Sequence, residues 1–368
     1  MTTLIAGLQN SVLVIESSSK SGGWKTYESL KGSHPQSIAF DLLNPSRAYC
    51  GTFDKGLLKT DNGGQTWDSI GKNEISTSNI TSVSVSPLKE GKKDGFSKVY
   101  VGTEPSALYV SSNGGESWER MNDLNKLKSS KSWSFPPRPW THHVRWIEPD
   151  VNNLDYVFVD IEAGALVHSR NGGRTWIDRV KQGPYDTHTL ATHKKAPKRL
   201  YSAAGDGYFE SFDYGESWNS QTKGLGHHYL VGLAVDSANP QNVIVSASLT
   251  AQKAHSRENA NSLVYRRSMN DEKWNAVSKG FPESNGTIIS ILASNPNSDG
   301  EFYAINNRGI FSSIDSGVSW TSLDIPWSKE YLLQHPFSLA IRKDRCMNRI
   351  RSNEFNLSRY FMGNKYTS

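Results

Sequence analysis

The 368 residues are 36% hydrophobic and 11% aromatic, with eleven Trp and 30 Gly, a mixture that suits many short strands and tight turns rather than helices packed by Leu and Ala. Two cysteines, Cys50 and Cys346, exclude a disulfide framework, and Cys50 in the apolar run "RAYCGT" reads as a small buried hydrophobe. The net charge of +5 is local, because residues 342–368 hold seven Lys/Arg and two Asp/Glu and leave 34 of each sign elsewhere; a neutral body of this kind argues against a nucleic-acid surface.

In chain order, "MTTLIAGLQNSVLVIES" lacks the basic n-region and small-residue cleavage site of a secretory signal, and its apolar run is too short to span a bilayer. A cytoplasmic protein with no membrane contact is expected. The stretch reads as a second and third strand without an inner one. Then "SIAFDLLNPSRAYCGTFDKGLLKT" gives an inner strand, an Asn-Pro turn, a second strand, a Gly turn and a third strand. The order recurs in "HVRWIEPDVNNLDYVFVDIEAGALVHS", "TLATHKKAPKRLYSAAGDGYFES", "LVGLAVDSANPQNVIVSAS" and "IISILASNPNSDGEFYAINNRGIFSS". An unpaired inner-strand pattern, "HPFSLAI" (335–341), follows.

Between these units one pattern returns: Ser/Thr-x-Asp/Asn-x-Gly-x-Ser/Thr-Trp. It occurs as "TDNGGQTW" (60–67), "SSNGGESW" (111–118), "SRNGGRTW" (169–176), "SFDYGESW" (211–218) and "SIDSGVSW" (313–320). Weaker copies end at Trp24 and Trp274, making seven repeats 42 to 58 residues apart. The Gly supplies a positive-φ turn position, and Asp or Asn can accept from backbone amides just ahead. The pattern resembles the Asp-box (BNR) repeat of sialidase-like, sortilin-like and photosystem-assembly-factor-like propellers, including glycosyl-hydrolase-like members. The resemblance covers about residues 1–342 and implies an all-β fold: a seven-bladed β-propeller of four-stranded antiparallel blades. The C-terminal inner strand, about 335–341, would join the N-terminal blade, close the ring and remove its edges. Residues 343–368 read as a basic tail. In such propellers the box is structural and faces away from the site; three copies carry Asn62, Asn113 and Asn171 in place of Asp, so calcium at the boxes is not expected.

This topology puts the starts of the inner strands and the turns between second and third strands on one rim. His34, His142, His143, His188, His227, His228 and His335 fall at or just before inner strands. Asp54, Glu104, Glu162, Asp206 and Arg308 fall on the turns, and Arg145 lies two residues beyond His143. The candidate site is therefore His143, Arg145, Glu162, Glu104, His188, His228 and Tyr229, with Asp186 nearby. Imidazoles shuttle protons near neutral pH and bind metals. His143, His188 and His228 with a carboxylate would suit zinc, iron or manganese; alternatively Glu162 or Glu104 acts as acid or base while Arg145 grips an anion. Of each His pair at most one faces the channel, because neighbouring strand residues point to opposite sides. The insertion 248–262 enters from the same rim and is a candidate lid.

Within the resembling families, sialidase chemistry is disfavoured, since the Arg-Ile-Pro motif and Arg triad are missing. Xyloglucan-type glycosidases pair two propellers where one is read here. The expected function is a pocket that binds, and as a hydrolase or lyase transforms, a small polar or anionic molecule. The alternatives are a protein-interaction scaffold and a carbohydrate-binding propeller.

Overall fold

The repeats fold as antiparallel meanders. The computed structural model describes residues 1–18, 23–89 and 96–343, and among these the strands form seven sheets. Blade 2 shows the plan: inner strand His34–Phe40, then Ala48–Phe53, Gly56–Thr60 and outer strand Asp68–Ile70. The other inner strands are Ile80–Lys89 (blade 3), Val144–Pro149 (blade 4), Thr187–Thr192 (blade 5), Tyr229–Val235 (blade 6), Ile291–Ser294 (blade 7) and Pro336–Lys343 (blade 1). Each touches the next around the ring. Six blades have four strands. Blade 4 has three, and its fourth position is reduced to one bridge, His168 to Ile177.

The expected closure is present. Pro336–Lys343 pairs antiparallel with Thr2–Leu8, from Thr2 opposite Lys343 to Leu8 opposite Pro336. The first and last parts of the chain thereby share blade 1, and strand pairing closes the ring. The basic segment beyond Lys343 and part of the weak repeat ending at Trp24 lie outside the described residues. No helix of the described residues is long and apolar enough to cross a membrane.

The repeated turns join third and fourth strands, and the five strong copies share two hydrogen bonds: in the first, Gly64 N donates to Thr60 Oγ1 (3.0 Å) and Thr66 N donates to Asn62 Oδ1 (2.9 Å). In three copies the Trp Nε1 also donates to the Gly carbonyl, as Trp67 does to Gly64 O (3.1 Å). Asn62 uses its amide to donate to Thr66 Oγ1 (2.8 Å), whereas Asp213 and Asp315 accept from the hydroxyls of Ser217 and Ser319. Asn and Asp therefore serve the turn alike. The weak copy near Trp274 closes differently, with Ser268 N and Oγ both donating to Asp271 Oδ2.

The Trp residues explain the repeat. Seven apolar clusters each lie between two successive blades, and each contains one repeat Trp: Trp24, Trp67, Trp118, Trp176, Trp218, Trp274 and Trp320. Every blade buries its aromatic residue against its predecessor, so the core is a ring of interfaces rather than one central mass.

Candidate functional site

A local irregularity recurs near the start of most inner strands. Pairing with the second strand skips a residue in blades 2, 3, 4 and 5, at Gln36, Thr81, Arg145 and His188, and shifts between Leu230 and Leu233 in blade 6. Such bulges re-aim a side chain out of the ladder. Gln36, Thr81, Arg145, His188 and Val231 all line a cavity of about 580 Å³ at the mouth of the channel. The cavity opens on the rim opposite the repeated turns, because strand starts and second-to-third-strand turns lie at the other end of each blade.

Glu162 is at the centre of the polar wall. It follows strand Val157–Ile161 on the turn to Ala165, and its Oε2 lies 2.9 Å from His143 Nε2 and 3.3 Å from Arg145 Nε. Burial pushes its carboxyl up, but the His143 hydrogen bond and the charges of His143, Arg145 and His188 outweigh this and hold it well below the carboxylate range. His143, 6% exposed, also faces Glu104 Oε2 at 3.4 Å through Nδ1 and packs edge-on against Phe135. Glu104 in turn accepts a bidentate pair from Arg138, Nε at 2.9 Å and Nη2 at 2.7 Å. The Arg138 guanidinium stacks between Phe53 and Phe135, 5.2 and 4.7 Å from their ring centres.

A second group faces this wall. Asp186 Oδ1 accepts from Ala163 N at 2.7 Å, and Oδ2 lies 3.6 Å from His188 Nε2. Burial raises the Asp186 carboxyl against the pull of His188. His188 Nδ1 is 2.5 Å from Leu230 O. A carbonyl only accepts, so Nδ1 carries the proton and Nε2 is turned towards Asp186 and towards the Tyr229 hydroxyl at 3.5 Å.

The same logic orients a His pair. His335 Nδ1 donates to Pro336 O (2.7 Å), leaving Nε2 to accept from His255 Nδ1 (2.7 Å), which leaves His255 Nε2 to accept from Tyr229 Oη (3.4 Å). Burial, reinforced by the neighbouring His335, lowers His255 to about 3, and burial lowers His335 to about 4, so both are neutral near pH 7. Tyr229 thus offers one proton to two imidazole nitrogens.

The structure brings together His143, Arg145, Glu104, Glu162, His188, Tyr229 and Asp186 at this cavity. His228 is not among its lining residues and is exposed. The expected His143, His188 and His228 ligand set is therefore corrected: strand alternation turns Tyr229 inward in place of its neighbour. The group that draws donor atoms within 4.8 Å of one another is Glu162, Asp186 and His188. His142 packs against Trp133, and His227 lies 2.8 Å from Tyr265 Oη. His34 sits at the mouth, 3.1 Å from Asp54, while Arg308 donates to Asn285 O away from the cavity. Asp206 accepts from the backbone N of Tyr185 and Asp186 and fixes that turn.

Two contributors escaped the reading of the sequence. Arg138 lies in the long connection before blade 4, outside any repeat register; its nearest signal was "FPPRPW", a stiff Pro-rich stretch directly ahead of "THHV". His255 belongs to the 248–262 insertion, where the short helix Ala251–His255 places Ala251 and His255 on the cavity wall. Its Thr250 Oγ1 accepts from Lys253 N and caps that helix.

No family profile and no curated protein matches the sequence. Solved structures are similar in fold. A GH74 enzyme from Niastella koreensis gives a TM-score of 0.62 at 16% identity over 87% of this chain and 54% of its own. YCF48 from Cyanidioschyzon merolae gives 0.54 at 12% identity, over 80% and 86%. YCF48 bound to D1 peptide gives 0.55 at 17%, over 81% and 84%. The chain thus spans about half the length of the GH74 enzyme. At these identities the likeness is one of propeller fold.

Proposed function

We propose that the cavity binds a small polar or anionic molecule and acts on it by proton transfer, as a hydrolase or lyase. The observation that carries this reading is the placing of Glu162 between His143 Nε2 and Arg145 Nε, with Asp186 and His188 facing it in one enclosed space. Two carboxyl groups shifted in opposite directions, Glu162 down and Asp186 up, are the pattern of an acid–base pair. Glu162 is the ionised member. Arg145 supplies the cation for an anionic group, and Arg138, neutralised by Glu104, orients the rim. The five repeated turns are read here as Asp-boxes, and they serve the ring rather than the reaction.

Calorimetric titration with phosphate, citrate and glucuronate tests this. Binding of one of them, weakened at least about tenfold by Arg145→Ala, is expected, and turnover of the corresponding esters or glycosides should fail in His143→Ala with the melting transition retained. Binding that ignores Arg145→Ala would sink the reading.

A scaffold reading has one observation in its favour: Trp140, on the connection that also carries Arg138, is 81% exposed. YCF48, a propeller of similar fold, has been solved bound to D1 peptide. A scaffold would tolerate His143→Ala and lose its partner on Trp140→Ala.

A further inference from the structure

We infer that Glu162, Asp186 and His188 form a binding site for one divalent first-row transition cation, with zinc and manganese the best matched to an imidazole and two carboxylates. This deepens the reading of the cavity as a working site and replaces the all-imidazole set that the sequence suggested.

Three independent features point to a cation there. The first is the fixed face of His188. Its Nδ1 proton is committed to Leu230 O, the backbone partner that a metal-ligating imidazole typically has. Nε2 is thereby presented to the cavity, 3.6 Å from Asp186 Oδ2, beyond hydrogen-bond range. Nε2 and the Asp186 carboxyl therefore face the same space without a direct hydrogen bond between them, a gap that a shared cation would fill. The second is reach. The three donors lie within 4.8 Å of one another, and bonds of about 2.0–2.2 Å to a common ion require separations up to about 4.4 Å. Closing the set takes side-chain movement of a fraction of an ångström.

The third is Asp160, on strand Val157–Ile161 below Glu162. It is 1% exposed, and neither of its carboxyl oxygens has a hydrogen-bond partner. Buried polar atoms left without partners call for a ligand or ion close by. Arg145 forms its ion pair with Glu162. A divalent cation at the open face of Asp186 and His188 would be such a group, and the cavity leaves room beside it for water or a substrate oxygen.

The test is cobalt(II) titration of chelator-treated full-length protein, followed by visible absorption for ligand field and by calorimetry for stoichiometry. One ion per chain is expected, with binding weakened at least about tenfold in His188→Ala and in the isosteric Glu162→Gln, and unchanged in His34→Ala. The Glu162→Gln variant keeps the test valid should His188→Ala fail to fold. Absence of stoichiometric binding to the wild type, or binding that survives both substitutions, overturns the inference. Phosphate, citrate or glucuronate binding that persists without cobalt binding would remove the metal and leave the cavity reading intact. The reverse result would remove that reading and leave the metal.

Discussion

His143 Nε2 and Glu162 Oε2 lie 2.9 Å apart, joining the residue just before one strand of blade 4 to the residue just after the next. The contact spans the bulge at Arg145, so backbone pairing and side-chain pairing hold the same few residues. The Glu162 side chain is 17% exposed and the His143 side chain 7%. Removing the imidazole leaves a mostly buried carboxylate with Arg145 alone. His143→Ala should therefore cost about 1–3 kcal/mol of stability. His143→Ala/Glu162→Gln should cost less than the sum of the two single changes, by about 0.5–3 kcal/mol. Urea unfolding of all four proteins measures this; strict additivity would show that the two side chains are not energetically coupled.

Trp320 lies 4% exposed between blades 6 and 7, packed against Phe281 at 5.2 Å between ring centres. Trp320→Ala removes a large aromatic from an interface that no other residue of the repeat can fill. The expected loss is about 3–5 kcal/mol. The Trp67 ring, less enclosed, should cost less on the same change. Equal losses at the two sites would mean that the interface does not set the energetics.

The architecture was legible because it repeats. Seven Trp at intervals of 42 to 58 residues gave the blades, and the unpaired "HPFSLAI" pattern gave the closure. The rim was legible too, since strand starts map to one end of every blade, and this placed His143, His188, Glu104 and Glu162 together. Side-chain direction was not. Whether His228 or Tyr229 turns inward depends on where the bulge falls, and a bulge is one extra residue without a compositional signature. Arg138 and His255 were lost for another reason: both sit on segments that interrupt the repeat, where register gives no position.

Gly115 tests the turn chemistry. Its φ is +90°, and a Cβ there would lie 2.7 Å from Ile70 Cδ1 and 3.4 Å from Tyr49 Cε1. Conformation and space both oppose a side chain. Gly115→Ala should destabilise by about 1–3 kcal/mol. Gly56, also at positive φ but with nothing within 4 Å of a Cβ, should lose only the conformational part, about 1 kcal/mol. Chemical denaturation of the pair separates strain from crowding; a Gly56→Ala loss as large as that of Gly115→Ala would remove crowding from the account.

Glu148 lies farther down the channel from the rim, next to the end of the blade 4 inner strand Val144–Pro149, and lines the inner wall with Ser84 and Thr189. Burial pushes its carboxyl up to about 7, although Thr192 N and Oγ1 both donate to Oε1 at 3.0 Å and Trp146 Nε1 donates to Oε2 at 3.3 Å. The folded protein therefore holds this proton over a range in which the unfolded chain, with its ordinary value of 4.5, has released it. Stability from this group is full below pH about 4.5 and is lost as pH rises towards 7. Discounted for partial exposure, the loss is on the order of 1–2 kcal/mol. Glu148→Gln keeps an acceptor for Thr192 and carries no titrating proton, so its stability relative to wild type should rise across that window. Urea midpoints at pH 5, 6, 7 and 8 give the difference directly, and parallel profiles for the two proteins would mean that Glu148 ionises in the folded state as it does in water.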